Sequence, residues 1–294
     1  MKKLVLFSVL GLCVASNAFA VGYTSDRMDG NPLYMPKANR FYSISDLGSH
    51  SGSDAIKSWT ATEEFGYGVT DNFAVAVQTS LVDERSFDQW SWGDLAVEAT
   101  FRAIDMGPVK TDVVFGYSVS PMWANHKPFF NTKNTSVGDG FMYPNQDDGT
   151  GTGYTWAFGV RGGYATPYVT IAARAFFEYW NTESFNWYEE PGKQGSHVIY
   201  LGLDGQFTLD RSTNLTAGVE YMGYLDEELY GEPGVKIENF GTWTGTLGLN
   251  YNIDYGKFIG AYVSTSLNHR GGDKDNEWKF DNGFGFGAKF GIDF

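Results

Sequence analysis

The last segment of the chain alternates between two kinds of side chain at nearly every step. Read two residues apart, one set is apolar and mostly aromatic, and it consists of Trp278, Phe280, Phe284, Phe286, Ala288, Phe290, Ile292 and Phe294. Glycines and charged residues occupy most of the positions between them. A period of two predicts a β-strand with two unlike faces. A strand in lipid needs an apolar, aromatic outer row and a small or polar inner row, so the pattern favours a membrane barrel over a soluble sandwich.

The first twenty residues have the pattern of a secretory signal peptide. Lys2 and Lys3 precede an apolar stretch, and a small-residue site ends at Ala20. We therefore expect residues 1–20 to be removed and the mature chain to start at Val21. The apolar stretch is shorter than the about 20 residues that a membrane-spanning helix needs.

The chain has one cysteine and an excess of acidic residues. Cys13 lies in the expected signal, so the mature chain would have no disulfide and no thiolate metal ligand. A lipoprotein acylated on Cys13 is the alternative, but Leu12 stands where such a site needs a small residue. The formal net charge of −14 becomes −16 once Lys2 and Lys3 are removed. This acidity disfavours nucleic acid as a partner.

Alternating segments recur along residues 40–294. We predict strands at 40–49, 56–69, 73–84, 92–105, 109–120, 153–165, 168–180, 197–209, 214–225, 240–253, 257–269 and 277–294. Short connectors of turn composition alternate with long ones, as they do where periplasmic turns are short and extracellular loops are long. The sequence therefore predicts an all-β fold, a transmembrane antiparallel up-and-down β-barrel of about 12 strands.

Two parts of the chain depart from this pattern. Glu63 falls on the same face of its predicted strand as Trp59, Phe65 and Tyr67. A charge facing lipid at mid-depth costs on the order of 2 kcal/mol, so we expect a bulge there or a position near the rim.

Residues 21–39 show no alternation and are either a periplasmic leader or a small plug that enters the barrel; the leader is favoured.

Charged and aromatic residues recur on the predicted inner face. The candidates for the lumen, or solute pathway, are Glu98, Arg102, Lys110, Asp112, Arg161, Arg174, Glu178, Asp204, Glu220, Tyr200 and Tyr262. Arg102, Lys110, Asp112 and Arg161 are expected toward the periplasmic end. These charges either pair to fill a narrow lumen or form a path for a small hydrophilic or zwitterionic solute. The aromatic rings either fill volume or bind sugars, nucleosides or aromatic acids.

The longest predicted connector, 121–152, is far longer than a usual hairpin loop and is expected to fold inward or cap the mouth. Asp139, Asp147 and Asp148 could bind a divalent cation, but their spacing is not that of a defined calcium loop. A solvated acidic loop is favoured, so no metal site and no cofactor are predicted.

Catalysis is the main alternative to transport. A barrel lipase needs a serine, a histidine and an orienting polar group at the rim. The four histidines, all expected in loops or at strand ends, are His50, His126, His197 and His269. A barrel protease would use acidic residues at the outer rim, where Asp226, Glu227 and Glu228 are expected. Neither set has a diagnostic spacing, so no catalytic residue is predicted.

Two features resemble known families. The terminal Phe294, with Phe290 and Ile292 on the same face of the strand, resembles the assembly signal of Gram-negative outer-membrane β-barrel proteins. The runs 64–72, 73–77 and 92–97 look like hairpin motifs of putative transporters in the MetA-pathway phenol-degradation family. The resemblance to outer-membrane barrels implies outer-membrane lipids, lipopolysaccharide and the barrel assembly machinery as partners.

The sequence thus predicts a monomeric channel or transporter of the cell outer membrane. Small hydrophilic or aromatic solutes would diffuse passively through its narrow charged lumen. The alternatives are a lipase-like or protease-like barrel enzyme with a rim site and a structural or adhesion barrel with a blocked lumen.

Overall fold

The structure is a computed structural model, and it describes residues 28, 30–51, 57–83, 90–120, 153–182, 195–225, 241–254, 256–271, 278–279 and 283–294. Regular structure in these ranges consists of β-strands. The described part of the chain has no helix that is long and apolar enough to cross a membrane.

The strands follow one another along the chain with short or long connections. They are β1 (Phe41–Ser51), β2 (Lys57–Thr70), β3 (Phe73–Asp83), β4 (Trp90–Met106), β5 (Val109–Ser120), β6 (Gly153–Ala165), β7 (Val169–Thr182), β8 (Gly195–Thr208), β9 (Thr213–Tyr224), β10 (Gly241–Asp254), β11 (Lys257–Gly271), β12 (Trp278–Lys279) and β13 (Gly283–Asp293). These bounds agree with the predicted segments to within two residues, except that the last segment is divided into β12 and β13.

The sheet closes on itself. Each strand from β1 to β11 pairs antiparallel with the next, and β13 pairs with both β11 and β1. The two residues of β12 extend this wall by pairing with the end of β11. The fold is therefore a closed, antiparallel, up-and-down barrel of twelve wall strands, which confirms the predicted fold class.

The two ends of the barrel wall meet at a hydrogen-bonded seam. The Phe41 N–H donates to the Phe294 carbonyl and the Phe294 N–H donates to the Phe41 carbonyl, each at 2.9 Å. Their rings stack with centroids 6.1 Å apart. The barrel opening beside this seam is called the terminal mouth below, and the short turn 107–108 lies at the same end.

Side chains alternate between an apolar outer face and a polar inner face. Large hydrophobic residues stay exposed on the outer face, among them Phe65, Phe115, Trp156, Leu201, Leu203, Leu247, Leu249, Ile259, Phe284 and Phe286. Strand β10 shows the alternation well, because Leu247 and Leu249 are exposed whereas Thr246 and Asn250 are buried. So extensive an apolar surface on a folded chain is typical of a barrel that faces lipid.

The prediction of a bulge or rim position at Glu63 is wrong. The β1–β2 pairing runs without a register shift from Phe41 to Ser51, and Glu63 is equidistant along β2 from Trp59 and Tyr67. The Ser43 and Ser45 hydroxyls of β1 donate to the Glu63 carboxylate. These hydrogen bonds, rather than a distortion of the strand, accommodate the charge on the outer face.

The favoured leader for residues 21–39 also differs from the structure. The described part of this segment lies inside the barrel, where Leu33 is 1% exposed and packs against Ala165 and Ala172. The Asn31 side chain accepts a hydrogen bond from the Leu33 N–H at 2.9 Å, which turns the chain locally. The described part of the segment is thus the plug alternative, because its scattered apolar residues are buried against the inner wall.

Inward aromatic rings lie over glycines of the neighbouring strand. A Cβ added to Gly159 would come 1.4 Å from the Phe176 ring, so the ring occupies the space that glycine leaves. We predict that Gly159→Ala lowers the free energy of unfolding by about 1–3 kcal/mol through overpacking. Urea unfolding followed by the gel shift of the folded barrel measures this change. Gly245→Ala is the matched control, because the nearest atom to its added Cβ is 3.9 Å away; an equal effect of both variants would contradict the prediction.

Candidate functional site in the barrel interior

All eleven predicted pathway residues point inward and are buried in the structure. They are Glu98, Arg102, Lys110, Asp112, Arg161, Arg174, Glu178, Tyr200, Asp204, Glu220 and Tyr262. Their alternation with lipid-facing neighbours puts them on the inner wall, and strand register then decides which of them meet.

The first cluster joins Arg102 of β4, Asp112 of β5 and Arg161 of β6. Register aligns these three positions across adjacent strands. The Asp112 carboxylate is 0% exposed and accepts hydrogen bonds from Arg102 Nε at 2.8 Å and Arg161 Nε at 2.9 Å. A buried carboxylate with two guanidinium partners is well compensated. Lys110 lies apart from this cluster and pairs with Asp105 near the β4–β5 turn, at 3.2 Å.

The plug, which we define as residues 28–36, completes the shell of this cluster. Arg102 donates to the Leu33 carbonyl at 2.6 Å, and Arg161 donates to the Tyr34 carbonyl at 3.2 Å. The Tyr34 hydroxyl donates to Asp293 of β13 at 3.2 Å. The two arginines therefore hold both the barrel wall and the plug backbone.

The plug contacts strands on several sides of the terminal mouth. Leu33 lies against β6 and β7, through Ala165 and Ala172. Gly30 lies against Thr216 of β9 and Asn250 of β10, where an added Cβ would come within 2.4 Å of the Thr216 methyl group. Gly30 also has a φ of 86°, so glycine is favoured there on both grounds.

Contacts at the two ends of the plug fix it to β1, β2 and β11. Met28 clusters with Tyr42 of β1 and Phe258 of β11. Just after the plug, the Asn39 N–H donates to the Gly68 carbonyl at 2.7 Å. Because these contacts lie on several sides of the lumen, the plug crosses the terminal mouth and narrows it.

The second cluster joins Arg174 of β7 to acids on the next two strands. Its guanidinium lies 2.9 Å from Asp204 and 2.9 Å from Glu220. Gly202 lies opposite Arg174 on β8, and an added Cβ there would come 2.4 Å from Arg174 Nε. The glycine thus makes room for the arginine to reach Glu220 on β9.

A third cluster lies on β11, β13 and β1. The Tyr262 hydroxyl donates to Asp46 at 2.9 Å, Lys289 Nζ is 3.5 Å from the same carboxylate, and Lys289 lies over the Tyr262 ring. Asp46 was not predicted as a site residue, because serines on the outer face of β1 blur the alternation there. Asp46 lies an even number of residues from Tyr42 on β1, so both side chains face inward, and this spacing could have identified it.

The charges also interact across the lumen. Lys289 of β13 and Arg161 of β6 both interact electrostatically with Asp204 of β8. A small cavity lies between the plug and the wall beside Lys289 and Tyr262. A second small cavity lies on another side of the plug beside Tyr42, Glu98 and Arg161. The interior therefore combines charged walls with small cavities of mixed polar and apolar lining around the plug.

Two strands contribute a neutral polar wall instead. Strands β10 and β11 present buried hydroxyls and an amide, namely Thr242, Thr244, Thr246, Asn250, Ser264 and Ser266. Such a wall can donate and accept hydrogen bonds without fixing a charge.

Several predicted functional residues lie outside the described residues, or have side chains that do. These are His126, Asp139, Asp147, Asp148, Asp226, Glu227 and Glu228, and the side chains of His50 and His269. His197 lies on β8, where its ring packs 5.1 Å from that of Tyr179. Within the described ranges there is no group of three or more histidine, cysteine or acidic residues that could hold a metal ion.

Comparisons with known proteins support the fold alone. No protein-family model and no curated protein matches the sequence. The NanC porin is similar with a TM-score of 0.51 and 9% identity over 84% of this chain and 98% of that one. The translocator domain of the autotransporter NalP from Neisseria meningitidis has a TM-score of 0.49 and 14% identity over 88% of this chain and 90% of that one. The NanC similarity supports the barrel fold, and the resemblance to the phenol-degradation transporters stays a prediction.

Proposed function

We propose that this chain is an outer-membrane channel that passes small hydrophilic or aromatic solutes by passive diffusion. The observation that carries the proposal is the contrast between its two faces. Exposed Leu, Phe and Trp side chains cover the outer face, whereas charged and hydroxyl side chains line a continuous inner face. A barrel needs such an interior to pass polar solutes through lipid.

The interior charge favours cations or zwitterions over simple anions. Seven acidic and four basic side chains are buried among the described residues, and Lys289 is partly buried as a fifth base. Each base lies beside at least one acid, so a solute with both charges can exchange partners as it moves. Tyr200, Phe258 and Tyr262 add aromatic faces for planar or sugar-like groups.

The docked plug corresponds to a closed state in this proposal. Solutes pass when the plug leaves the terminal mouth, since the charged and hydroxyl side chains of the inner wall then line the opening. The barrel wall itself does not need to change, because the plug contributes no strand to it.

A structural barrel is the second candidate, and the plugged mouth favours it. If residues 28–36 never leave, the polar interior serves only to bury paired charges and to stiffen the wall. An enzyme is not proposed, since the described interior contains ion pairs but not a nucleophile beside a histidine.

Replacing Arg174 tests the channel. The guanidinium is the partner of both Asp204 and Glu220, so Arg174→Gln leaves the local wall more acidic. We expect wild-type protein to conduct in planar bilayers, and we expect the variant to raise the cation-to-anion permeability ratio severalfold in a salt gradient. Arg211→Ala is the control, because Arg211 is exposed in the β8–β9 turn and should leave the ratio unchanged. Silence from verified folded barrels, including plug-deleted ones, would support the structural candidate.

A further inference from the structure

A carboxylate and two hydroxyls lie in one row across the inner wall. Asp204 of β8 pairs in register with Gly218 of β9. Thr246 of β10 pairs with Gly218 on one side and with Ser264 of β11 on the other. The side chains of Asp204, Thr246 and Ser264 are all buried, at most 9% exposed. Register therefore brings these three polar groups to the same part of the lumen.

The three groups have unused hydrogen-bonding capacity. Among the residues that the structure describes, no hydrogen bond reaches Asp204 Oδ1, Thr246 Oγ1 or Ser264 Oγ. The other carboxylate oxygen of Asp204 lies 2.9 Å from Arg174. A buried polar atom that has lost its water without a replacement is unfavourable, and most such atoms in proteins have a partner. Three of them in one row indicate a ligand that supplies the hydrogen bonds.

The charge beside this row is negative. Arg174 lies 2.9 Å from both Asp204 and Glu220, so this cluster has one base and two acids. Two other bases, Arg161 and Lys289, act on Asp204 from a greater distance, and each of them already lies beside an acid of its own. A buried excess of negative charge is stabilised by a cationic group. The ligand should therefore carry a positive charge.

The wall is recessed between the carboxylate and the hydroxyls. Gly218 has no side chain, and it separates Asp204 from Thr246 by two strand spacings, about 10 Å between Cα atoms. An ammonium group donates to a carboxylate but accepts no hydrogen bond, whereas a hydroxyl both donates and accepts. A solute that bridges the recess thus needs an ammonium group at the Asp204 end and hydroxyl groups at the other.

We infer that Asp204, Thr246 and Ser264 form a binding site for a solute that carries a primary ammonium group beside hydroxyl groups. The ammonium group binds Asp204 Oδ1, and the solute hydroxyls bind the Thr246 and Ser264 hydroxyls. The inference rests on the channel proposed above and deepens it, because it names the class of solute that the lumen selects. These three residues are called the amine site below.

The amine site lies beyond the plug as seen from the terminal mouth. Gly30 of the plug lies against Thr216 of β9, and Gly218 is two residues farther from that mouth along the same strand. A solute that enters from the opposite end of the barrel therefore reaches the amine site before the plug. Binding does not require the plug to leave, so it can be measured separately from conduction.

Equilibrium binding to the refolded barrel in detergent micelles tests the site. Isothermal titration compares glucosamine, kept protonated by the buffer pH, with glucose, which lacks the charge, and with ethylammonium, which lacks the hydroxyls. We expect glucosamine to bind at least tenfold more tightly than either. Binding of glucose or ethylammonium that equals that of glucosamine would overturn the inference, as would the absence of glucosamine binding to folded barrels.

Substitution of the two hydroxyls separates binding from stability. Thr246→Val together with Ser264→Ala removes two oxygens that have no partner among the described residues, so the urea midpoint should not fall. Glucosamine should nevertheless bind about tenfold more weakly. Thr100→Val on β4 is the matched control, because the buried Thr100 hydroxyl donates to Glu98 at 2.8 Å. It should lower the urea midpoint and leave glucosamine binding unchanged. Unchanged affinity in the folded double variant would overturn the amine site.

The carboxylate end is tested by Asp204→Asn, which keeps the shape of the side chain and removes its charge. Glucosamine should then bind no more tightly than glucose, whereas Asp105→Asn, on an exposed acid near the β4–β5 turn, should keep the tenfold preference. A preference that survives in folded Asp204→Asn barrels would overturn the assignment.

Conductance in planar bilayers reports the channel separately. Barrels that conduct but do not bind glucosamine overturn the amine site alone. Barrels that bind glucosamine but stay silent after deletion of the plug overturn the channel and support the amine site as a pocket of a closed barrel.

Discussion

Leu33→Ala should greatly increase the time that the barrel spends conducting. Leu33 is the most deeply buried apolar residue of the plug, and it packs against Ala165 and Ala172. Truncation of a buried leucine costs about 2–5 kcal/mol, and here that cost falls on the docked plug rather than on the hydrogen-bonded wall. Since 1.4 kcal/mol is a factor of ten, we expect the undocked population to rise by roughly thirtyfold or more. Single-channel recording of open probability measures it.

Two further variants set the expected lower and upper limits of the open probability. Leu33→Met keeps the apolar contact and should behave like the wild type. Deletion of residues 28–36 removes the plug and should give the largest and least interrupted conductance. If the deletion variant, verified as folded, conducts no better than the wild type, the plug does not control the path.

Asp112→Ala should have the largest effect on stability. Removal of this carboxylate leaves Arg102 and Arg161 buried beside each other without their shared acid. Loss of one partner of a buried ion pair costs about 3–5 kcal/mol. We expect the urea midpoint of the folded barrel to fall sharply. The plug should also loosen, because the same two arginines hold the Leu33 and Tyr34 carbonyls.

Asp105→Ala is the matched control for this prediction. Asp105 also pairs with a base, Lys110, at 3.2 Å, but its side chain is 42% exposed. An exposed ion pair contributes about 0–1 kcal/mol, so this variant should unfold close to the wild-type midpoint. A similar loss in both variants would mean that Asp112 contributes no more than an ordinary rim charge.

The wall of the barrel could be predicted from the sequence because its signal is local. Alternation in segments such as 109–120 and 257–269 reports directly which side chains meet lipid and which face inward. The same rule predicts that Asp112 and Arg174 face inward. It does not predict their ion-pair partners, because the Arg174 contact with Glu220 depends on register across three strands and on the space left by Gly202.

The plug could not be predicted in this way. Its described residues pack against β6, β7, β9 and β10, all distant in sequence, and they have no periodic pattern of their own. Glu63 could be predicted only in part. The alternation of β2 correctly places its side chain on the outer face, but the hydrogen bonds that stabilise it come from Ser43 and Ser45 on another strand, which the pattern of one strand does not reveal.

The seam between β1 and β13 lies beside the chain segment that leads to the plug. At this seam Phe294 pairs with Phe41, and residues 37–40 connect Phe41 to the plug. The plug can therefore enter through the opening beside its own tether after the wall has closed, without threading a free end through the ring. Its later exit and return follow the same short route. Exchange of the plug is thus decoupled from unfolding of the barrel, so the two should proceed on separate timescales.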